Sequence, residues 1–126
     1  MGPKRAMTER PRRILVVDDN VDVAELTGEL LSQIGHEVRI AHDGAAALAQ
    51  LSSFDAEVVL LDLGLPVMDG YELAGRIRAS TTSHPFLVAV TGERDHARIA
   101  GAGFDAHLVK PVSIDNLLRV VDGVPS

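Results

Sequence analysis

Five short runs built mainly from Val, Ile and Leu, separated by longer stretches of helical periodicity, constrain this chain more than any other feature. The runs are Ile14–Val17, Glu37–Ala41, Val58–Leu61, Leu87–Val90 and His107–Val109. Four are nearly continuous in apolar residues, the pattern of strands covered on both faces of a parallel sheet. Val38, Arg39 and Ile40 alternate instead, which suits a strand at or near a sheet edge. Between the runs, Val23, Leu26, Leu30 and Ile34 recur at helical spacing, and Gly35 offers a stop. Ala45–Leu51 reads as a short alanine-rich helix, and Asp69 with Glu72 as a capping box opening a helix through Leu73 and Ile77. Glu93–Ala100 reads as a fourth helix. Ser113 caps a fifth, whose inner face is Ile114, Leu117, Leu118 and Val121. A strand–helix unit repeated five times predicts an α/β fold, a doubly wound five-stranded parallel sheet with five helices and right-handed crossovers.

Composition excludes several classes of function. At 126 residues the chain suffices for one domain with a buried core. It has no cysteine, so disulfides, thiolate metal sites and thiol nucleophiles are ruled out, and a cytoplasmic location fits. Apolar runs such as Phe86–Val90 fall far short of the roughly 20 residues a membrane helix needs, so no membrane contact is expected. The net charge of −6 divides into +4 over residues 1–13 and −10 over the rest. An acidic body argues against direct binding of nucleic acid, which requires clustered Lys and Arg. Residues 1–12, with two prolines and no aromatics, read as a basic disordered leader.

In doubly wound sheets, ligands bind beyond the carboxyl ends of the strands. Here the first run ends in Asp18-Asp19, the third in Asp62, the fourth in Thr91-Gly92 and the fifth in Lys110-Pro111. Topology therefore brings three carboxylates, a hydroxyl and an ammonium to one edge. Alone, Asp-Asp is a turn or cap, Thr-Gly a turn and Lys-Pro a surface turn. Asn20 is available for capping, which leaves the acidic pair spare. Three carboxylates at about 5 Å repel one another by roughly 3 kcal/mol per pair at an effective dielectric of about 20. Such a cluster favours a hard divalent cation, and oxygen-only ligands select Mg²⁺ or Mn²⁺ over zinc. One carboxylate can then act as nucleophile towards a phosphoryl group, with Lys110 and Thr91 serving its oxygens.

The segments Ile14-Leu-Val-Val-Asp-Asp-Asn, Val58-Val-Leu-Leu-Asp-Leu-Gly-Leu-Pro-Val-Met-Asp-Gly, Ala89-Val-Thr-Gly and His107-Leu-Val-Lys-Pro resemble the signatures of response regulator receiver domains. The resemblance runs from about residue 13 to 122 in motif order and spacing, and implies a receiver domain over residues 13–124. It implies the flavodoxin-like strand order 2-1-3-4-5. It makes Asp62 the phosphoacceptor, Asp19 a direct Mg²⁺ ligand, Asp18 a ligand partly through water, and Gly64 the donor of a carbonyl. Thr91 becomes the switch hydroxyl and Lys110 the partner of the phosphoryl group, with a cis peptide at Pro111. Pro66 and Gly70 fit the loop after Asp62. The implied phosphodonor is a histidine kinase or histidine phosphotransfer protein. A downstream protein would read the face formed by the fourth helix, fifth strand and fifth helix, and the implied state is a monomer or weak homodimer. Catalysis would be limited to the domain's own phosphorylation and slow autodephosphorylation. Two positions depart from the family's habit: His107 stands where an aromatic is usual, and Gly92 follows Thr91 where alanine or serine is common.

Two other classes compete. A phosphate-independent adaptor would not need the intact set Asp18, Asp19, Asp62, Thr91 and Lys110. An aspartyl-nucleophile phosphatase wants a second carboxylate two residues after the first, where this chain has Gly64. His36, His42, His84 and His96 lack the spacing of metal ligands and of a phosphohistidine motif.

Overall fold

The computed structural model describes residues 8–65, 67–80, 84–92, 99 and 101–125. Strands β1 (Arg13–Val17), β2 (Glu37–Ala41), β3 (Val58–Asp62), β4 (Phe86–Thr91) and β5 (Ala106–Val109) form one parallel sheet in the order β2-β1-β3-β4-β5. The described helices are α1 (Val21–Gln33), α2 (Gly44–Leu51), α3 (Gly70–Ser80) and α4 (Ile114–Asp122). Of the helix expected over Glu93–Ala100, only Ile99 lies within the described residues, and it is buried. Pro66 also lies outside them.

The continuous apolar runs are explained by two cores, one on each face. Leu15, Val17, Val59, Leu61, Leu87 and Ala89 point to one side, where α2 and α3 bring Ala47, Leu73, Ala74 and Ile77. Ile14, Val16, Val58, Leu60, Val88 and Leu108 point to the other, where α1 and α4 bring Ala24, Leu31, Leu117 and Val121. Each fully buried Leu, Ile or Val stabilises the fold by about 1.5–3 kcal/mol relative to exposure. Among the described residues β2 pairs with β1 alone, and its alternation suits that edge position.

Helix starts follow the capping residues. Asn20, Asp43 and Ser113 accept the N–H groups of Val23, Ala46 and Asn116. Asp69 accepts from the N–H of Glu72, but the Glu72 carboxylate pairs with Arg76 at 3.0 Å, so only one half of the expected capping box is seen. Gly35 takes φ 111° just past α1, a left-handed exit that glycine adopts without a Cβ penalty.

The repeat picked out by periodicity is buried only towards its end, where Ile34 is buried and Leu30 half-buried. Ala24, Gly28 and Leu31 pack on the sheet, while Val23 and Leu26 are 46% and 59% exposed. A Cβ on Gly28 would lie 3.0 Å from Cδ1 of Ile40, so small residues allow the close approach of helix to sheet. In α4, Leu117 and Val121 are buried as the inner face requires, whereas Ile114 is 39% exposed.

Candidate functional site

The period-two alternation that sorts the core continues past the strand ends. Val16, Leu60 and Leu108 belong to the α1/α4 face, so Asp18, Asp62 and Lys110, each two residues further on, share that side. Chain direction does the rest: β1 leads through α1 to β2 on one side, and β3 leads through α3 to β4 on the other. The crevice of a doubly wound sheet opens at that divergence, between the ends of β1 and β3.

One carboxylate oxygen from each of Asp18, Asp19 and Asp62 falls within 4.8 Å of the others. Asp18 and Asp62 are buried and Asp19 is exposed. Both Asp62 oxygens are held: Oδ1 accepts the Gly64 N–H at 2.9 Å, and Oδ2 meets Lys110 Nζ at 3.2 Å. Asp18 Oδ1 accepts the Asn20 N–H at 2.9 Å, and its main-chain carbonyl faces Nδ1 of His42 at 3.0 Å.

The pocket is short of positive charge. Burial raises the Asp18 pKa above the usual carboxylate range, and the neighbouring Asp62 adds to the rise; the Asn20 N–H and the Lys110 ammonium pull the other way. A single ammonium faces three carboxylates among the described groups of the pocket. Oxygen donors only, at this spacing, suit a hard divalent cation. The acidic cluster is thus compatible with a divalent metal site.

Thr91 and His107 belong to a different part of the sheet. Thr91 pairs with Val109 and Ala89 with His107, which puts both side chains on the face opposite to Asp62 by alternation. Thr91 is buried, and its carbonyl accepts the Lys110 N–H at 2.8 Å. His107 is half-buried. The Lys110–Pro111 bond is cis.

A cleft of about 870 Å³ runs from the carboxylates between α1 and α4. Asp19, Asp62, Gly64 and Lys110 border its polar end, and Leu26 and Ile114 its apolar walls. Sequence reading missed this wall, because Leu26 looked like a residue on the packed side of α1. It also passed over His42, whose link to Asp18 spans 24 residues and leaves no local signal.

The family model described as response regulator receiver domain matches residues 14–122. Response regulator MprA of Mycobacterium avium (strain 104) is 38% identical over 108 residues, covering 84% of this chain and 47% of that protein. The chain therefore spans about half the length of this relative. Among solved structures, the chemotaxis response regulator CheY4 of Vibrio cholerae superposes with a TM-score of 0.84 at 27% identity, over 92% of this chain and 100% of that one. The CheY-like receiver domain from Methylobacillus flagellatus gives 0.83 at 30% identity, again over 92% and 100%.

Proposed function

This chain belongs to the response regulator receiver domain family, and from that premise we propose that Asp62 accepts the phosphoryl group. The observation that carries the assignment is the setting of its carboxylate. It is buried at the end of the central strand β3, fixed through both oxygens, and faced by two further carboxylates and a lysine.

An oxygen of Asp62 attacks phosphorus; the new P–O bond forms an acyl phosphate as the bond from phosphorus to the donor's nitrogen or oxygen breaks. The Gly64 N–H and Lys110 hold the carboxylate in place, and the ammonium offsets charge on the arriving phosphoryl oxygens. Asp19 directly, Asp18 partly through water, Asp62 and the Gly64 carbonyl would hold Mg²⁺, with Mn²⁺ as a substitute. The bound cation supplies charge neutralisation for the phosphoryl group. The domain catalyses its own phosphorylation and a slow autodephosphorylation, and no reaction on another substrate.

The phosphodonor is a histidine kinase or histidine phosphotransfer protein. The exposed apolar residues Val23 and Leu26 border the cleft that leads to Asp62 and offer such a donor a docking strip. Thr91 serves as the switch hydroxyl, and His107, on the same sheet face, follows its movement. A downstream protein reads β5, α4 and residues 93–100. The unit spans residues 13–124, acts in the cytoplasm as a monomer or weak homodimer, and binds no nucleic acid directly. No helix among the described residues is long and apolar enough to cross a membrane.

Incubation with Mg²⁺ and acetyl phosphate or phosphoramidate tests the assignment. One phosphoryl group, labile to base and hydroxylamine, is expected; EDTA suppresses it and Asp62→Asn abolishes it. Unchanged labelling of Asp62→Asn overturns it.

A further inference from the structure

The Asp18–Asp19 segment is tied to the connection between β2 and α2 at two points. The Asp18 N–H donates to the Ala41 carbonyl at 3.1 Å, and Nδ1 of His42 lies 3.0 Å from the Asp18 carbonyl oxygen. A carbonyl oxygen only accepts, so Nδ1 must carry the hydrogen and donate it. His42 is half-buried, which limits competition from water. The carbonyl it holds lies in the peptide plane that joins Asp18 to Asp19. Fixing that plane restricts ψ of Asp18 and φ of Asp19, and so the direction in which each carboxylate leaves the backbone. Asp18 is pinned a third time through Oδ1 by the Asn20 N–H, whereas Asp19 is exposed and depends more on its backbone for direction.

We propose that His42 is a positioning residue for the cation site: its Nδ1–H locks the Asp18–Asp19 peptide plane so that both carboxylates converge with Asp62. This rests on reading the three carboxylates as a cation site. It adds to them a side chain that touches neither the cation nor the phosphoryl group.

Two substitutions separate donation from bulk. His42→Asn keeps an N–H donor at the δ position; His42→Leu keeps comparable volume and removes the donor. Mn²⁺ binding is followed by the electron paramagnetic resonance signal of the free ion. Exchange of the Asn20 amide is followed by NMR without metal. His42→Leu should weaken Mn²⁺ binding on the order of tenfold, the scale typical of lost outer-shell support, and accelerate Asn20 exchange while β1 amides stay protected. His42→Asn should lie close to the parent in both. The proposal is overturned if His42→Leu matches the parent in either measurement, or if the two variants weaken binding alike. Because Asn20 exchange needs no metal, it judges the tether in every case. Failure of the parent to bind Mn²⁺ would instead overturn the cation reading.

Discussion

The main-chain N–H of Arg12 donates a hydrogen bond to Nδ1 of His36 at 3.0 Å, at the end of the sheet opposite to Asp62. Nδ1 is therefore the acceptor and the hydrogen resides on Nε2, which is buried without a hydrogen-bond partner among the described residues. The Arg12 guanidinium is itself buried, contacts Glu57 at 3.4 Å, and donates to the carbonyls of Val124 and Pro125 beyond α4. This residue, counted in the basic leader from sequence, ties the first strand to the end of the last helix.

Protonating His36 would place a second N–H against that of Arg12. Burial lowers its pKa most, Asp122 and Glu57 oppose the shift, and Arg12 reinforces it. A histidine lowered in the folded state leaves the extra proton to the unfolded chain. Its stabilising contribution is thus intact above the unfolded pKa of about 6.5 and is lost as pH falls from there towards the folded value. Urea unfolding from about pH 8 to 5 should show the parent losing up to about 1.4 kcal/mol per pH unit through this group. His36→Asn, which presents a non-titrating acceptor, should lack that part of the slope. Equal slopes would show that His36 does not govern it.

Asp18 carries the opposite sign. Its folded pKa is raised, so the ionised form costs stability at neutral pH, and the cost is relieved as pH falls through the raised pKa. Asp18→Asn retains an oxygen for the Asn20 N–H and removes the charge. Without metal at pH 7 it should be more stable than the parent, with the advantage shrinking in acid. Added Mg²⁺ should stabilise it less than the parent, because stabilisation by a ligand follows affinity. Calorimetric melting with and without Mg²⁺ checks both halves; a variant less stable at pH 7 would mark Asp18 as structural.

Gly70 packs against the main chain at Asp62 and Leu63. A Cβ there would lie 2.5 Å from Leu63 Cδ2, 2.6 Å from Leu63 Cα and 3.0 Å from the Asp62 carbonyl oxygen. Two of these are main-chain atoms that cannot turn away. Gly70→Ala should therefore force β3 and α3 apart, lowering stability by about 1–3 kcal/mol and slowing labelling by acetyl phosphate. Wild-type labelling kinetics in a folded Gly70→Ala protein would contradict this.

The proposed docking strip predicts a difference between donors. Leu26 is 59% exposed, so Leu26→Glu should change stability by no more than about 0.5 kcal/mol. Labelling by acetyl phosphate should be unaffected. Transfer from a cognate phosphohistidine protein should slow about tenfold, the effect of losing one apolar anchor worth about 1.4 kcal/mol. Equal slowing with both donors would place the defect at Asp62 and not at the strip.

Sequence by itself determined the sheet, because a strand covered on both faces must be apolar at nearly every position, and that demand is written locally in Val58–Asp62 and Phe86–Thr91. It also determined where polar groups collect, since topology alone carries Asp18, Asp62 and Lys110 to the same end. The capping oxygens of Asn20, Asp69 and Ser113 act over three residues and were legible for the same reason. Tertiary structure decided which arc of α1 is buried. Ala24, Gly28 and Leu31 face the sheet, with Gly28 close against Ile40, while Val23 and Leu26 of the apolar repeat stay exposed. It decided, too, that Asp18, Asp62 and Lys110 share a face from which Thr91 and His107 point away. The roles of His36 and His42 depend on the register of β1 against β2, which pairs Arg13 with Glu37 and Val17 with Ala41. That register sets one histidine beside Arg12 and the other beside Asp18, each across 24 residues. Hydrogen bonds at that separation have no local pattern to announce them; they exist only once the strands have paired.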